Sequence, residues 1–289
     1  MLAERAASLR ESRVPYVHAR VVLAEAPTSA KPGAEALVLP DGTIEGFVGG
    51  TCAESTVRAQ GLALLDSGES LLLRITPTRE ADQAGKLVVH NPCLSGGTLE
   101  IFMEPVMPAP AIVVAGSAPV ADALRALAVQ LGWRVADDGD LSAVNALVVA
   151  SHGRDEEATL QAAIDADVPY VGLVASRKRA EAVIGSLGLG AGDAARIHCP
   201  AGLDIGARTA PEIALSIMSE IVSLRPRPSG RPVSETEPVT GTAIDPVCGM
   251  TVAPVESSLH LDHDGRRVWF CGSGCLRAFA AAPSAYVVL

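Results

Sequence analysis

Apolar and polar positions along the chain follow two rhythms and then a break. Up to about residue 107 the apolar runs are short and β-branched, interrupted by Pro, Gly and Asp. Residues 2–13 predict a short helix, and Val14 to Ala26 a strand. Pro27 to Gly33, with two prolines and a glycine, predicts a loop. Ala34–Leu39 and Thr43–Val48 predict two strands around a Pro40-Asp41-Gly42 turn. A helix follows from Thr51 to Asp66, with Val57, Leu62, Leu64 and Leu65 apolar. Ser70–Thr76 and Thr98–Glu104 are further strand candidates, and Asn91 to Gly97 is a second glycine-rich loop carrying Cys93 and Gly96.

Beyond Met107-Pro108-Ala109-Pro110 the rhythm becomes an alternation of strand and helix. Strands are expected at Ala111–Ala115, Trp133–Ala136, Ala146–Ala150, Tyr170–Val174 and Ala195–Ile197. Helices are expected at Pro119–Leu131, Asp155–Asp165, Arg177–Ser186 and Pro211–Leu224. That order predicts a doubly wound parallel sheet with helices on both faces. Arg225 to Thr242 then loses all apolar periodicity and reads as a proline-rich linker. From Ala243 a small Cys-rich module begins, with a hairpin closing near Phe270 and a helix containing Leu276, Phe279 and Ala280. The expected organisation is therefore α/β: a mixed α+β domain (1–107), a doubly wound domain (108–224), a linker (225–242) and a Cys-rich module (243–289).

Composition narrows the function. Aromatic residues make up 3% of the chain, too few for single-stranded nucleic-acid binding by base stacking. A net charge of −10 leaves no basic footprint for nucleic acid. No apolar run reaches the roughly 18 residues of a membrane helix. The first residues, MLAERAASLRES, lack an apolar signal core, so a cytoplasmic location is expected. Six cysteines in 289 residues point to metal binding or reactive thiols rather than a disulfide scaffold.

The chemistry clusters at four places. Gly49-Gly50-Thr51-Cys52-Ala53-Glu54 joins an apolar strand to a helix, and Thr51 with Glu54 reads as a capping box. A thiol at a helix start is favoured as thiolate, and such an end also attracts phosphate. The plainer reading is a buried Cys behind an ordinary cap. Gly97 belongs to the second glycine loop. In the doubly wound half, Gly116-Ser117-Ala118-Pro119 keeps only the first glycine of a dinucleotide fingerprint, with Asp137 and Asp138 in the ribose position. Ala118 and Pro119 crowd the pyrophosphate approach, which argues against ordinary nicotinamide binding. His152, Ser176, Arg177, His198, Gly202 and Asp204 sit in loops after later strands, where ligands bind in such sheets. They read equally well as satisfied loop residues. Thr209 and Glu212 form a second capping box. Finally, Cys248, Cys271 and Cys275 have metal-ligand spacing, the last two one helical turn apart, with His263 or His260 to complete a tetrahedron. A module of this size usually needs such a staple.

Together these blocks resemble the XdhC/CoxI family of maturation factors for molybdenum hydroxylases. The likeness rests on Thr28 to Ala34, Pro40-Asp41-Gly42, the Cys52 stretch, Tyr170-Val171-Gly172-Leu173 with Ser176-Arg177, and His198 to Ala207 with Pro211-Glu212-Ile213-Ala214. Thr51, inserted between Gly50 and Cys52, is a variant of the CoxI-like side. The tail resembles a YHS or TRASH-type metal-binding module through Asp245 to Met250 and Phe270-Cys271 with Cys275. The resemblance implies a Rossmann-like second half and a non-catalytic role. The protein would bind the molybdenum cofactor, in its molybdopterin cytosine dinucleotide form, aid its sulfuration and deliver it to an apo molybdenum hydroxylase. Such clients are of the xanthine dehydrogenase or carbon monoxide dehydrogenase kind. A cysteine desulfurase and a second copy of the chain are further partners implied. The implied cofactor residues are Gly49, Gly50, Thr51, Cys52, Glu54, Cys93, Gly96, Gly97, Gly116, His152, Ser176, Arg177, His198, Gly202 and Asp204. The tail would hold zinc or another divalent metal. Two other readings stay open: a metal sensor or metallochaperone acting through the tail, and an NAD(P)-binding oxidoreductase.

Overall fold

The computed structural model describes residues 1–81, 83–92, 97–137, 139, 141, 143–151, 153–225 and 241–286. The chain divides into two compact units, one of Met1–Pro108 with Arg227–Leu289, the other of Ala109–Pro226.

The first unit opens with α1 (Leu2–Glu11), which packs Ala6 and Leu9 against Tyr16, Leu37 and Leu39. A six-stranded sheet follows. Its strands are β1 (Tyr16–Glu25), β2 (Glu35–Val38), β3 (Ile44–Gly46), β4 (Leu71–Thr76), β5 (Leu87–His90) and β6 (Thr98–Val106). They lie in the order β3-β2-β1-β6-β4-β5. All pairs are antiparallel except β4 with β5. The long helix α2 (Thr51–Ser67) covers one face, and Val57 and Leu64 enter the core with Val17, Val21, Leu73 and Ile101. Gly61 lets α2 lie close to β2, because a methyl there would press 2.9 Å from Val38 Cγ1. Gly68 ends the helix in the left-handed conformation (φ 72°), where glycine carries no steric cost. Strand β5 was not expected from the sequence.

The C-terminal segment of this unit contains two small ribbons and a helix. The ribbons pair β12 (Ala243–Ile244) with β13 (Thr251–Val252) and β14 (Leu259–His263) with β15 (Arg266–Phe270). Helix α8 (Ser273–Ala281) follows, then a turn of 3₁₀ helix at Pro283–Ala285. Val268, Phe270 and Phe279 form one small core. Met250, Val252 and Cys271 form another, and Cys52 of α2 packs into it. The segment also rests on the β2–β3 turn, where Ser257 Oγ donates to the Asp41 carbonyl at 3.3 Å. The sequence suggested a core too small to stand alone; here part of that core is supplied by α2.

The second unit is a five-stranded parallel sheet. Its elements are β7 (Ala111–Ala115), α3 (Pro119–Gln130), β8 (Arg134–Ala136), β9 (Ala146–Val149), α4 (Glu156–Asp165) and β10 (Tyr170–Leu173). Then come α5 (Arg177–Ser186), α6 (Ala191–Ala194), β11 (Ile197–His198) and α7 (Ala210–Leu224). The strand order is β11-β10-β9-β7-β8, and every pair runs parallel. Strands β7, β9 and β10 are buried at every position, as a sheet covered on both faces requires. Helices α3 and α7 cover one face around Leu124, Ile217 and Met218. Helices α4 and α5 cover the other around Leu160, Ile164 and Val183. The switch point of the strand order lies between β7 and β9. No helix among the described residues is long and apolar enough to cross a membrane.

Candidate functional site

The strand-to-helix turn around Cys52 is built from backbone conformation. Gly49 adopts φ 146°, and a Cβ there would lie 2.9 Å from Ala53 Cβ and 3.2 Å from Leu99 Cδ1. Gly50 is the N-cap of α2, with φ −72° and ψ 174°. Its carbonyl accepts the first helical bond from Glu54 N at 3.0 Å. This corrects the expected capping box. Thr51 is the first helical residue, Ala53 occupies the position a box reserves for an acid, and no side chain caps the helix. Glu54 instead lies one turn from Arg58, whose guanidinium burial holds below its ordinary range and Glu54 partly restores. Arg58 Nε in turn donates to the Gly42 carbonyl at 2.7 Å, tying α2 to the β2–β3 turn.

Beside this turn lies a cavity of about 1040 Å³. Gly50, Thr51 and Cys52 form one part of its wall, and Pro27, Thr28 and Ser29 another. Gly97 lines it too, and a methyl there would collide with the carbonyls of Glu25 and Pro27. Ile75, Asn91, Pro92 and Leu99 of the sheet side also line it, and the C-terminal segment adds Cys248, Met250, Cys271 and the first turn of α8 from Gly272 to Cys275. Two helix N-termini, those of α2 and α8, therefore border one cavity. Their unpaired N–H groups make such a space hospitable to anions and thiolates. Among the described residues its lining carries no Lys, Arg, Asp or Glu.

The thiols converge at this wall. Cys248 Sγ lies 3.5 Å from Cys271 Sγ, and Cys271 Sγ lies 3.7 Å from Cys275 Sγ. With Asp245, their ligand atoms all fall within 4.8 Å of one another. Four sulfurs around a zinc-sized ion, each about 2.3 Å from it, would be spaced by about 3.8 Å. The observed spacing fits that geometry. Asp245 is fully buried, and both its oxygens are engaged: Oδ1 accepts from Val247 N at 2.9 Å, Oδ2 from Cys271 N at 2.8 Å. It fixes the loop that presents Cys248 and the backbone that presents Cys271. None of the ion pairs among the described residues engages Asp245, and a buried carboxyl beside three thiols is a donor set that suits a cation.

The protonation pattern agrees. Its hydrogen bond with Cys271 pulls the Cys248 thiol below its usual range. Hydrogen bonds with Cys248 and Cys52, together with burial, hold Cys271 far above the usual range. Burial and the Asp245 charge push Cys275 up to about 12. Binding a metal to these thiols would release protons. His263 is outside this cluster. Its ring packs edge-on against Phe279 at 5.4 Å, and its Nε2 lies 3.5 Å from Asp264 Oδ2. His260 packs against Trp269 and engages the Ser258 carbonyl at 2.9 Å.

In the second unit the polar loop residues meet internal partners. Gly116 (φ 106°) is wedged against Ala150, and Arg125 donates to its carbonyl at 2.6 Å. The Ala118 N–H, which would face a pyrophosphate, donates instead to the Ala150 carbonyl at 3.2 Å, and Pro119 has none to offer. Glu156 is buried and accepts from Gly153 N (2.8 Å), Ser151 Oγ (3.1 Å) and Arg179 Nη2 (2.8 Å). His198 stacks on Tyr170 at 4.7 Å with its Nδ1 3.6 Å from Glu220 Oε1. Glu220 Oε2 also accepts from Tyr170 Oη at 2.5 Å and Gly202 N at 2.8 Å. Burial, then Glu220, raise the Tyr170 hydroxyl above its usual range. Ser176 caps α5, and Arg177 and Asp204 are exposed. The Glu212 carboxylate accepts from Thr209 N and Arg208 N at 2.8 Å, as the second capping box predicts. Cys93, Gly96, Asp138 and His152 lie outside the described residues.

Sequence reasoning missed Asp245, Glu156 and Glu220 as organising acids. Asp245 had a signal, since an acid before Pro and two residues before a loop amide suits an Asx turn. Glu156 closes the Ser151-to-Glu156 loop, whose mix of His, Gly and acids marked it as a candidate ligand loop, whereas Glu220 lies inside a helix and had no signal.

Comparison with known proteins supplies the affiliation. Residues 112–221 match the XdhC Rossmann domain, residues 9–76 the XdhC and CoxI family, and residues 243–289 the YHS domain. The protein named "Uncharacterized protein YqeB" of Escherichia coli strain K12 is 26% identical over 296 residues, covering 91% of this chain and 53% of its own. This chain therefore spans about half the length of that relative. A "Copper-transporting P-type ATPase" of Rhizobium leguminosarum bv. viciae is 49% identical over 43 residues, 15% of this chain and 5% of the ATPase. A crystal structure described as a xanthine dehydrogenase from Bacillus halodurans aligns with 78% of this chain and 97% of its own. Its sequence identity is 15% and its TM-score 0.36, too distant to bear on function. The three family matches follow one another along the chain in the order its motifs suggested: it belongs to the XdhC and CoxI family and carries a YHS domain at its C-terminal end.

Proposed function

We propose that the protein is a maturation factor that holds the molybdenum cofactor, in its cytosine dinucleotide form, for sulfuration and delivery to an apo molybdenum hydroxylase. The observation that carries this reading is the cavity of about 1040 Å³ with Cys52 at the opening turn of α2. It has room for a nucleotide-sized ligand. Backbone N–H groups of the α2 and α8 first turns would hold phosphate oxygens, and Gly50, with open space around it, lets a ligand approach the backbone. The Cys52 thiolate would offer a soft sulfur to a molybdenum centre. The apolar Ile75, Leu99 and Met250 would shield a reactive group from water. When bound, the cofactor brings the metal centre that the client enzyme uses.

The test is to purify the chain without air from cells that make the cofactor and to identify the co-purifying small molecule by mass spectrometry. A pterin phosphate carrying cytosine is expected; a chain that emerges empty from such cells contradicts the reading.

A second reading is metal handling through the tail. It is supported by the sulfur spacing of Cys248, Cys271 and Cys275 and by the copper transport named for the ATPase that is similar to 43 residues of this chain.

A further inference from the structure

The N-terminal motif and the tail were expected to be separate sites, yet Cys52 and the tail thiols share one wall. Cys52 packs into the small core of Met250, Val252 and Cys271, together with Cys248 and Cys275. Its Sγ lies 3.4 Å from where a Cβ on Gly272 would stand, so it sits directly against the N-cap of α8. It lies in the same small cluster as Cys271, the central sulfur of the tail. The first turns of α2 and α8, which carry Cys52 and Cys275, line the same cavity. The tail itself supplies three sulfurs, one short of a closed tetrahedral thiolate site. Asp245 is the alternative fourth donor, but backbone N–H groups already engage both its oxygens.

We infer that Cys52 is the fourth thiolate of a soft-metal site completed across the two parts of the first unit, by Cys52, Cys248, Cys271 and Cys275. An all-sulfur set suits Cu(I) or Zn(II) and disfavours hard cations. The site would couple the two halves of the cavity wall, because the ion bonds α2 directly to the tail. A consequence, resting on the proposed function, is that an ion at this site occupies the sulfur the cofactor would need. Metal in the tail then acts as a lock on the cavity. The ligand set itself stands independently of any cofactor.

The test uses the full reduced chain and a metal alone. The apo protein, the protein with one equivalent of Zn(II), and the protein with one equivalent of Cu(I) under nitrogen are pulsed with a maleimide. Modification of each cysteine is then read by peptide mass spectrometry. With at least one of the two ions, Cys52 is expected to be protected in step with Cys248, Cys271 and Cys275, while Cys199 of the other unit keeps its apo rate. A Cys52 that reacts at its apo rate beside three protected tail cysteines overturns the inference. Shielding by mere contact is separated by Cys52→Ser. This variant is expected to lose at least about 100-fold in affinity for the protecting ion by chelator competition, and unchanged affinity overturns the inference. Asp245→Asn provides the opposite control: if it weakens binding as much as Cys52→Ser while Cys52 stays reactive, the fourth ligand is Asp245. None of these outcomes involves the molybdenum cofactor, so failure here leaves the proposed function standing.

Discussion

The Cys52 corner of the first unit and the loop corner of the second are made from similar residues and come to opposite ends. Each combines glycines and a cysteine at the junction of strand and helix. In the second unit two acids consume much of the loop polarity: Glu220 gathers Tyr170, Gly202 and His198, and Glu156 gathers Gly153, Ser151 and Arg179. Even the glycine of the fingerprint remnant is pinned, since Gly116 packs directly on Ala150. In the first unit Gly50 has open space around it and Cys52 borders a cavity. A motif becomes a site when its donors are left facing a space, and becomes framework when neighbouring side chains reach them first.

Breaking the framework should cost the most. Gly116→Ala forces a Cβ into the Ala150 backbone at a positive φ, so a loss of about 3 kcal/mol or more is expected for the second unit in denaturant titration. Gly50→Ala, with open space at φ −72°, should cost within about 1 kcal/mol, the scale of a weakened cap. Equal losses at the two glycines would erase the distinction drawn between the corners.

Glu220→Ala comes next. It strands the Tyr170 hydroxyl and the Gly202 N–H, an expected cost of about 2–4 kcal/mol. Cysteine reactivity in the first unit should stay unchanged. If Glu220→Ala is stability-neutral, Glu220 is not the organiser described here.

A smaller effect lies in the first unit's own ion network. Glu100 is buried between Lys86 Nζ (2.5 Å) and Arg74 Nη1 (3.0 Å). The Lys86 and Arg74 contacts hold its carboxyl below the ordinary 4.5. A carboxylate depressed in the folded state stabilises fully above its unfolded value and loses that contribution as pH falls through its folded value. Unfolding midpoints should therefore drop as pH is lowered below about 4.5, and drop less steeply in Lys86→Met. Parallel pH profiles for the two proteins would contradict this assignment.

Much of this was legible along the chain. The second unit's strands are continuous apolar runs between helical segments, and burial on both faces leaves few alternatives. The tail's three cysteines were legible because their spacing carries geometry. Strand β5 was missed because Leu87–His90 is four residues long, bounded by Asn91-Pro92, and shows no alternation. The Thr51 box misled because the extended backbone of Gly50 already caps the helix. The meeting of Cys52 with Cys271 was not legible at all. The two lie on either side of the whole second unit in sequence, and the apolar pattern of the tail gives no hint that α2 completes its core.

The most direct measurement compares cofactor content in three proteins purified alike from cells that make the molybdenum cofactor: the parent chain, Cys52→Ser and Glu220→Ala. Pterin released from each is quantified per folded chain. The account predicts a filled parent, at least about tenfold less in Cys52→Ser, and parental content per folded Glu220→Ala chain. Equal pterin in the parent and Cys52→Ser, or loss confined to Glu220→Ala, would contradict it.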